Sequence, residues 1–277
     1  MRALLLAAGL GSRLKPLTNY LPKCLIPIHG RPLLDYWLES LVTHGVNEIL
    51  INTHYFSSLV VDYVQRSSWA HNVSMVHEDK LLGTGGTILA NRDFFKDEPF
   101  LVAHADNLTI FDPLLFFKRH SERPREVDLT MMVFETADPK SCGIVDLDER
   151  GVVTSFHEKV ELPPGNLANA AVYILEPAVL DFMKSLGKAE IDFSTEVIPH
   201  FMEHIFTYRN AAYHRDIGTI GSWTGAHADF PPLAASPANA EAWNKTLSMA
   251  DSMLASTMAR LLKQADPATS AHAPTLG

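Results

Sequence analysis

Residues 3–14 read Ala-Leu-Leu-Leu-Ala-Ala-Gly-Leu-Gly-Ser-Arg-Leu, an apolar run that passes directly into a glycine-rich loop. The run from Ala3 to Ala8 is apolar at every position, which is typical of a parallel strand covered on both faces. It is shorter than the apolar core of a secretory signal peptide, so we interpret it as the first buried strand. The loop begins where this strand ends, and open α/β sheets bind their ligands at that edge.

Short apolar runs alternate with amphipathic stretches farther along the chain, and this alternation is typical of βαβ units. We therefore predict an α/β fold with a Rossmann-like, doubly wound, mostly parallel sheet and a C-terminal helical extension. Further strands are predicted over residues 48–52, 73–77, 100–104, 129–134, 144–147, 152–157 and 171–175. Helices are predicted over residues 32–44, 57–65, 85–94, 177–183 and 194–204.

The chain after residue 229 has a different pattern. Residues 1–229 are predicted to form one α/β domain, and the proline-rich residues 230–238 are predicted to be a linker. Residues 239–265 are predicted to form one long amphipathic helix, because apolar residues recur there at three- and four-residue steps. Its apolar stripe could pack on the parent domain or join two copies as a homodimer. Residues 266–277 are polar and small, which predicts disorder.

Composition limits the partners. The 277-residue chain has a formal net charge of -9, which argues against nucleic acid or an anionic membrane as the main partner. Its two cysteines, Cys24 and Cys142, have no paired spacing, which fits a reducing compartment. No apolar run approaches the length of a membrane helix. We therefore predict a cytoplasmic protein.

The glycine loop has the residues for binding phosphate. Gly9 and Gly11 lack side chains, so backbone N–H groups can approach a phosphate or a base edge. Arg13 can form paired hydrogen bonds to phosphate oxygens, and Lys23 adds a compact charge. Leu14 stands where a dinucleotide-binding fingerprint has its third glycine, and no Gly-Lys-Ser/Thr follows as in a Walker loop.

Residues 3–34, with Pro16, Pro22-Lys23 and Pro27, resemble the N-terminal signature of the sugar-1-phosphate nucleotidyltransferases, and the resemblance extends to about Gly225. It implies a GT-A-like nucleotidyltransferase domain that transfers a nucleoside monophosphate from a nucleoside triphosphate to a sugar-1-phosphate and releases pyrophosphate. It also implies that Arg13 grips the pyrophosphate and that Lys23 contacts the reacting phosphates. The residues that it implies in nucleotide binding are Leu6, Ala8, Gly9, Gly11, Ser12, Gly83 and Thr84.

Two aspartates are candidates for holding Mg²⁺. Asp106 follows the apolar run 100–103, and a carboxylate at the end of a buried strand can hold a hard cation beside a phosphate. The family has such an aspartate, usually after a glycine where this chain has Ala105. Asp216 resembles the second metal aspartate of the family. Either residue could instead cap a turn or helix. The resemblance implies Mg²⁺ on Asp106 and Asp216, with Arg13, Lys23 and Asp106 as catalytic residues.

Three later stretches resemble the sugar-phosphate side of the family. The resemblance implies that Gly143 allows close approach of the sugar, that Glu158 and Asn169 bond its hydroxyls and that Lys159 binds its phosphate. Val160 stands where the family usually has proline, which leaves the shape of this loop open.

The base and the sugar stay open at this stage. Residues 81–86, Leu-Leu-Gly-Thr-Gly-Gly, resemble the base-contacting loop of guanylyltransferases that act on mannose or manno-heptose phosphates, which favours GTP. Uridylyltransferases of hexosamine or muramic-type sugars have similar loops, and cytidylyltransferases of non-sugar alcohol phosphates have a similar opening loop. A glycosyltransferase often holds its metal with Asp-x-Asp, whose first position is His104 here. A non-catalytic sensor would be expected to lack the reactive Arg, Lys or Asp.

One further motif points to a different chemistry. Residues 200–204 match the His-x-x-Glu-His pattern of zinc peptidases. A zinc site would need a third ligand and an open cleft. The apolar spacing of Ile198, Phe201, Met202 and Ile205 instead favours an ordinary amphipathic helix.

Overall fold

The computed structural model describes residues 1–265. Within that range the strands are β1 Arg2–Leu6, β2 Pro27–Ile28, β3 Arg31–Pro32, β4 Glu48–Thr53, β5 Val73–His77, β6 Phe100–His104, β7 Asn107–Ile110, β8 Leu129–Glu135, β9 Gly143–Leu147, β10 Val153–Glu158, β11 Leu167–Leu175, β12 Ile205–Arg209 and β13 Tyr213–Asp216. The helices are α1 Leu33–Thr43, α2 Ser57–Arg66, α3 Gly83–Ala90, α4 Arg92–Phe95, α5 Pro113–Ser121, α6 Pro177–Ser185, α7 Ile220–Asp229, α8 Pro237–Met249 and α9 Met253–Ala265.

The main sheet is parallel around β1 and antiparallel at one side. Its central path runs β10-β9-β11-β6-β1-β4-β5, and β8 and β12 join it through β11. β6, β1, β4 and β5 are mutually parallel neighbours, whereas β11 runs antiparallel to β6. The chain leaves β1 for β4 and β5 on one side and returns through β6 on the other. A crevice for ligands is expected at the carboxyl ends of strands where the order reverses in this way.

Both faces of the sheet are covered by helices. Leu5 of β1 belongs to a core cluster that includes side chains of α1, α2, α7 and α8. Leu4, its neighbour on the opposite face, belongs to a second cluster with side chains of α3, α4 and α6. A strand buried on both faces needs apolar side chains at every position, which explains the unbroken run in the sequence. The predicted doubly wound, mostly parallel α/β class is confirmed.

The C-terminal segment differs from the expected single helix. It forms α8 and α9, separated at residues 250–252, after an irregular stretch over 231–236. Asp251 explains the break, because its side-chain carboxylate accepts a hydrogen bond from the N–H of Met253 and so starts a new helix. The apolar stripe packs on the parent domain, where Trp243 and Leu254 are buried. The disorder expected for residues 266–277 lies outside the described residues.

Residues 194–204 do not form the expected amphipathic helix. A π turn spans Phe193–Val197 and a 3₁₀ turn spans Ile198–Phe201, since Pro199 cannot donate to a regular helical ladder. The two histidine side chains of the zinc-like motif have different partners: His200 stacks on Phe182, whereas His204 pairs with Asp128.

Among residues 1–265, no helix has the length and apolar character needed to cross a bilayer.

Candidate active site

Three charged residues from distant parts of the sequence meet at the carboxyl edge of the sheet. The Nζ of Lys23 lies 2.7 Å from Oδ2 of Asp106 and 3.0 Å from Oδ1 of Asp216. Asp106 occupies the turn between β6 and β7, and Asp216 ends β13. Because β13 pairs antiparallel with β7, with Asp216 opposite Asn107, the two-stranded ribbon brings the second aspartate to the first.

The Lys23 ammonium and the Asp106 carboxylate stabilise each other's charged forms. Burial opposes the charge on Lys23, but Asp106 and Asp216 beside it raise its pKa above the ordinary value. Burial likewise opposes ionisation of Asp106, but Lys23 lowers the pKa of this carboxyl below its ordinary value. The result is a position for positive charge between two carboxylates.

The carboxylates of Asp106 and Asp216 fit a hard cation that takes its other ligands from water or substrate. No group of three or more His, Cys, Asp and Glu side chains within residues 1–265 is arranged to hold a metal ion. Mg²⁺ is commonly held by one or two carboxylates together with water and substrate phosphates, so Asp106 and Asp216 suit it. The Lys23 ammonium occupies a cationic position between them.

The first glycine loop is anchored at its ends and exposed in its middle. Gly11 adopts φ 61°, and its carbonyl accepts hydrogen bonds from the Thr18 hydroxyl at 2.8 Å and the Leu14 N–H at 2.9 Å. Around Gly9, in contrast, a Cβ would meet nothing within 4 Å. Arg13 is exposed and has no carboxylate partner in the part of the chain that the structure describes. The loop therefore offers backbone N–H groups and a guanidinium to an incoming anion.

A cavity of about 200 Å³ joins the two glycine loops. The predicted site residues on its lining are Leu6, Ala8, Gly9, Gly83, Thr84 and Asp106. Gly11 and Ser12, which were predicted with them, do not line it. Its other lining residues are Leu81, which begins the predicted base-contacting loop, and Asn52, Glu78, Thr87 and His104, which were not predicted as site residues.

Glu78 is the center of a polar network on this cavity. Its Oε1 accepts hydrogen bonds from Asn52 Nδ2 at 3.0 Å and from the Thr87 hydroxyl at 2.7 Å. Asn52 is held in turn by the Ala7 N–H, which donates to its Oδ1 at 2.8 Å. The second carboxylate oxygen of Glu78, Oε2, is buried without a hydrogen-bond partner among the described residues. The signal in the sequence was a carboxylate at the end of a predicted strand, which is similar to the signal that singled out Asp106.

The second glycine loop packs against the segment that precedes residue 193. Gly85 and Gly86 donate their backbone N–H groups to the carbonyl of Ile191, at 2.9 and 3.3 Å. A Cβ on Gly86 would lie 2.2 Å from the carbonyl oxygen of Ala189. Gly83 has φ 73°, and its Cβ would lie 2.6 Å from the Ile191 oxygen. These glycines are thus required by packing, whatever ligand the loop contacts.

Of the four residues predicted for the sugar side, Gly143, Glu158 and Asn169 lie on neighbouring strands, and Lys159 directly follows β10. Gly143 of β9 is paired with Glu158 of β10, and a Cβ at Gly143 would lie 2.7 Å from Oε2 of Glu158. The Nζ of Lys159 lies 2.8 Å from Oε1 of Glu158. On β11, Asn169 donates through Nδ2 to the Tyr173 hydroxyl at 2.7 Å. β11 lies next to β6, so this group borders the strand that leads to Asp106.

Comparison with known proteins assigns the family. The model of the family described as nucleotidyl transferase matches residues 2–231. The chain belongs to the nucleotidyl transferase family. The family resemblance of the glycine loop is thereby confirmed.

Curated relatives of this nucleotidyl transferase family member include guanylyltransferases. The chain is 31% identical over 242 residues to the mannose-1-phosphate guanylyltransferase of Mycobacterium tuberculosis, and the match covers 85% of this chain and 66% of that protein. It is 34% identical over 188 residues to the catalytic subunit beta of mannose-1-phosphate guanylyltransferase from Dictyostelium discoideum, covering 65% of this chain and 51% of that protein. The chain thus spans between about half and two thirds of the length of these relatives.

Solved structures share the fold over most of the chain. A putative glucose-1-phosphate thymidylyltransferase from Bacillus anthracis, in complex with sucrose, superposes with a TM-score of 0.78 at 20% identity, covering 86% of this chain and 98% of that one. HddC from Yersinia pseudotuberculosis, complexed with GMP-PN, superposes with a TM-score of 0.69 at 25% identity, covering 83% and 99%.

Proposed function

We propose that the chain transfers a nucleoside monophosphate from a nucleoside triphosphate to a sugar-1-phosphate, with release of pyrophosphate. The observation that carries this proposal is the meeting of Lys23, Asp106 and Asp216 beside the glycine loop and the cavity. GTP with a mannose- or heptose-type sugar phosphate is the favoured pair. It is supported by the guanylyltransferase relatives and by the GMP-PN complex of HddC.

The proposed reaction needs positioning and charge neutralisation more than proton transfer. The attacking sugar phosphate is already anionic, so no strong general base is required, and repulsion between the two polyanions is the main obstacle. In our proposal Arg13 and Lys23 bind the pyrophosphate side, and the loop N–H groups orient the triphosphate. Cys24 is unsuited as a nucleophile, because burial raises the pKa of its thiol to about 12.

Mg²⁺ is the proposed cofactor, with Asp106 and Asp216 as the residues that would hold it. When bound, it would neutralise the charge that builds up between the reacting phosphates. The proposed sugar side consists of Gly143, Glu158 and Asn169, with Lys159 binding the sugar phosphate. The proposed nucleotide side adds Gly11 and Ser12 to the residues that line the cavity.

The test is pyrophosphate release with each nucleoside triphosphate against a panel of sugar-1-phosphates, with and without Mg²⁺. We expect Mg²⁺-dependent release with GTP and a mannose- or heptose-type partner. Release only with another pair would keep the reaction class and change the substrates. No release with any pair, despite nucleotide-sugar binding by calorimetry, would instead favour a sensor or a glycosyltransferase.

We also propose the organisation and setting of the protein. Residues 1–229 would act as the nucleotidyltransferase domain in a cytoplasmic protein, which the two free cysteines support. Of the predicted linker 230–238, residues 237 and 238 belong to α8, so the proposed linker is limited to the irregular stretch before it. A homodimer through the C-terminal helices stays a prediction. Met249 and Met253, each 56% exposed at the break between α8 and α9, are exposed apolar side chains that could contribute to it. Light scattering of a double Met249→Ser, Met253→Ser variant, compared with the unaltered chain, tests it.

A further inference from the structure

The two segments that bring Lys23 and Asp216 together are joined a second time behind these charges in the sequence. Lys23 lies four residues before the hairpin formed by β2 and β3, and Asp216 lies four residues before α7. At the start of α7 the Ser222 hydroxyl donates to the carbonyl of Asp216, so this helix is connected directly to that residue. A movement of α7 against the hairpin would therefore displace Asp216 relative to Lys23.

Three rings hold the hairpin on α7, and we call them the clasp: His29 in the hairpin turn, and Trp223 and His227 on α7. The indole N–H of Trp223 donates to the Pro27 carbonyl at 2.9 Å. Nε2 of His29 donates to the carbonyl of Phe230, directly after α7, at 2.8 Å. The His227 ring packs edge-on against both other rings, with centroids 4.9 Å from His29 and 4.8 Å from Trp223. The clasp therefore fixes the position of α7 on the hairpin.

One nitrogen of the clasp has no partner. Nε2 of His227 is buried without a hydrogen-bond partner among residues 1–265. In a neutral imidazole this nitrogen can be an unprotonated acceptor. A proton on it would create a charged, buried donor without an acceptor, which is unfavourable. The closed clasp is thus compatible with a neutral His227 and opposes its protonation.

The surroundings of His227 also favour the neutral ring. Burial lowers the pKa of His227, the nearby His29 lowers it further, and the Pro27 carbonyl offsets only part of this effect. Both imidazoles are half-buried rather than sealed in the core. A small opening of the clasp is therefore sufficient to bring water to the unpartnered nitrogen.

No carboxylate is left over on the described parts of the neighbouring elements to stabilise an imidazolium in the clasp. The ionisable side chains on the hairpin, α1, β13, α7 and α9, besides His227 itself, are His29, Arg31, Asp35, Glu39, Tyr213, His214, Arg215, Asp216, Asp229, Arg260 and Lys263. Each carboxylate in this set pairs with a lysine or an arginine. Protonation of the clasp would thus add positive charge without a new ion pair.

We infer that the clasp is a pH-sensitive device: it holds the Lys23 segment against the Asp216 segment while both imidazoles are neutral, and it opens when they take up protons. Two adjacent imidazolium ions repel each other, and opening gives Nε2 of His227 access to water. This goes beyond the proposed reaction, because it makes the geometry at the charged residues depend on pH through side chains that lie outside the site.

The direction of the pH effect follows from the pKa of His227. This pKa is lowered in the folded protein, whereas the unfolded or open chain has the ordinary value of about 6.5. Below that pH the open form binds a proton that the closed form resists. The closed clasp is therefore fully stable above about pH 6.5 and becomes less stable as the pH falls below it.

The first experiment measures hydrogen exchange of the Trp223 indole N–H by NMR in the unaltered full chain, at about pH 7.5 and about pH 5.5. This N–H bonds to the Pro27 carbonyl while the clasp is closed. We expect its protection, corrected for the intrinsic exchange rate, to fall several-fold at the lower pH, at most about 10-fold for a single proton. Trp37, which is equally buried and donates to the Asn107 carbonyl at 2.9 Å, is the internal control and should keep its protection.

Two results of this experiment would overturn the inference. One is equal protection of Trp223 at both pH values. The other is a loss of the same size for Trp37, which would indicate a general loss of stability rather than an opening of the clasp. The measurement needs no variant and no turnover.

The second experiment uses His227→Phe, which keeps a ring against Trp223 but takes up no proton. We expect the protection of Trp223 in this variant to be the same at both pH values. His71→Phe, which replaces an exposed histidine in the turn before β5, is the matched control and should respond to pH as the unaltered chain does. A loss of Trp223 protection at low pH that persists in His227→Phe would contradict the role of this imidazole.

The third experiment connects the clasp to the site, and it alone rests on the proposed function. Between the same two pH values, kcat for pyrophosphate release should fall about 10-fold more in the unaltered chain than in His227→Phe, because displacement of Asp216 misplaces the reacting groups. An equal loss of kcat in both proteins would overturn the control of the site by the clasp. Absence of release with any substrate pair, together with the expected exchange of Trp223, would remove the proposed function and keep the clasp.

Discussion

At the scale of single residues, the proposed chemistry depends on a few charges near the β1 loop. Lys23 is already paired with both aspartates, whereas the guanidinium of Arg13 is exposed. Arg13 is therefore a cation that a substrate can recruit without breaking an existing ion pair. This difference between the exposed Arg13 and the ion-paired Lys23 indicates that Arg13 acts on the substrate directly and that Lys23 also organises the carboxylates.

We predict that Arg13→Ala and Asp106→Ala each reduce the rate of pyrophosphate release by about 10²–10³-fold, because each removes a preorganised charge. Neither change should prevent folding, since neither side chain belongs to the apolar core. Steady-state kinetics and circular dichroism measure the two effects. Arg150→Ala, an exposed arginine in the β9–β10 turn, is the control. A variant that keeps more than about a tenth of the original rate would exclude that residue from its proposed role.

Glycines of the two loops should respond differently to alanine. A Cβ on Gly9 meets nothing, so Gly9→Ala should leave the free energy of unfolding within about 0.5 kcal/mol while weakening nucleotide binding. Gly86→Ala places a methyl group 2.2 Å from the Ala189 oxygen and should lower the free energy of unfolding by about 1–3 kcal/mol. Urea denaturation and calorimetry separate the two effects. The reverse pattern would assign packing to the first loop and ligand contact to the second.

At the scale of elements, α8 is fastened to the domain through a buried carboxylate. Asp35 of α1 is fully buried and accepts hydrogen bonds from Trp69 at 2.7 Å and from Asn239 of α8 at 3.0 Å. Arg31 supplies the countercharge at 2.7 Å. The helix is thus bound by polar contacts as well as by the buried Trp243, which packs edge-to-face on Tyr63.

We predict that Asn239→Ala lowers the free energy of unfolding by about 1–3 kcal/mol, because it leaves Asp35 with one donor fewer in a buried site. Lys245→Ala, on the exposed side of the same helix, should change it by less than about 0.5 kcal/mol. Urea denaturation of the two variants provides the comparison. Equal small effects would mean that α8 contributes little through its contact with Asp35.

Local patterns in the sequence predicted elements better than they predicted contacts. The unbroken apolar run of β1, and the alternation of apolar and amphipathic stretches after it, were enough to predict the doubly wound sheet. A strand that is buried on both faces is apolar at every position, which is visible in the sequence. The break between α8 and α9 was missed, since the apolar spacing continues through Asp251 and only its capping contact interrupts the helix. The network around Glu78 was missed because Asn52 and Thr87 meet it only in the folded chain.

At the scale of the whole molecule, a net charge of -9 is combined with the proposed site for polyanionic substrates. The overall field would repel such substrates, so in our proposal binding depends on local cations and on a divalent ion at the aspartates. Within the fold, however, Lys23 already supplies positive charge to Asp106 and Asp216. The stability of the substrate-free protein should therefore be independent of Mg²⁺, while the reaction depends on it.

We predict that excess EDTA abolishes pyrophosphate release and changes the melting temperature of the nucleotide-free protein by less than about 2 °C, equivalent to under about 1 kcal/mol for a chain of this size. In Lys23→Met the two carboxylates lose their shared ammonium, so added Mg²⁺ should raise the melting temperature of this variant. Differential scanning calorimetry, with and without EDTA, measures both. If EDTA lowers the melting temperature of the unaltered protein by several degrees, the lysine does not balance the carboxylates and the metal contributes to the stability of the folded state.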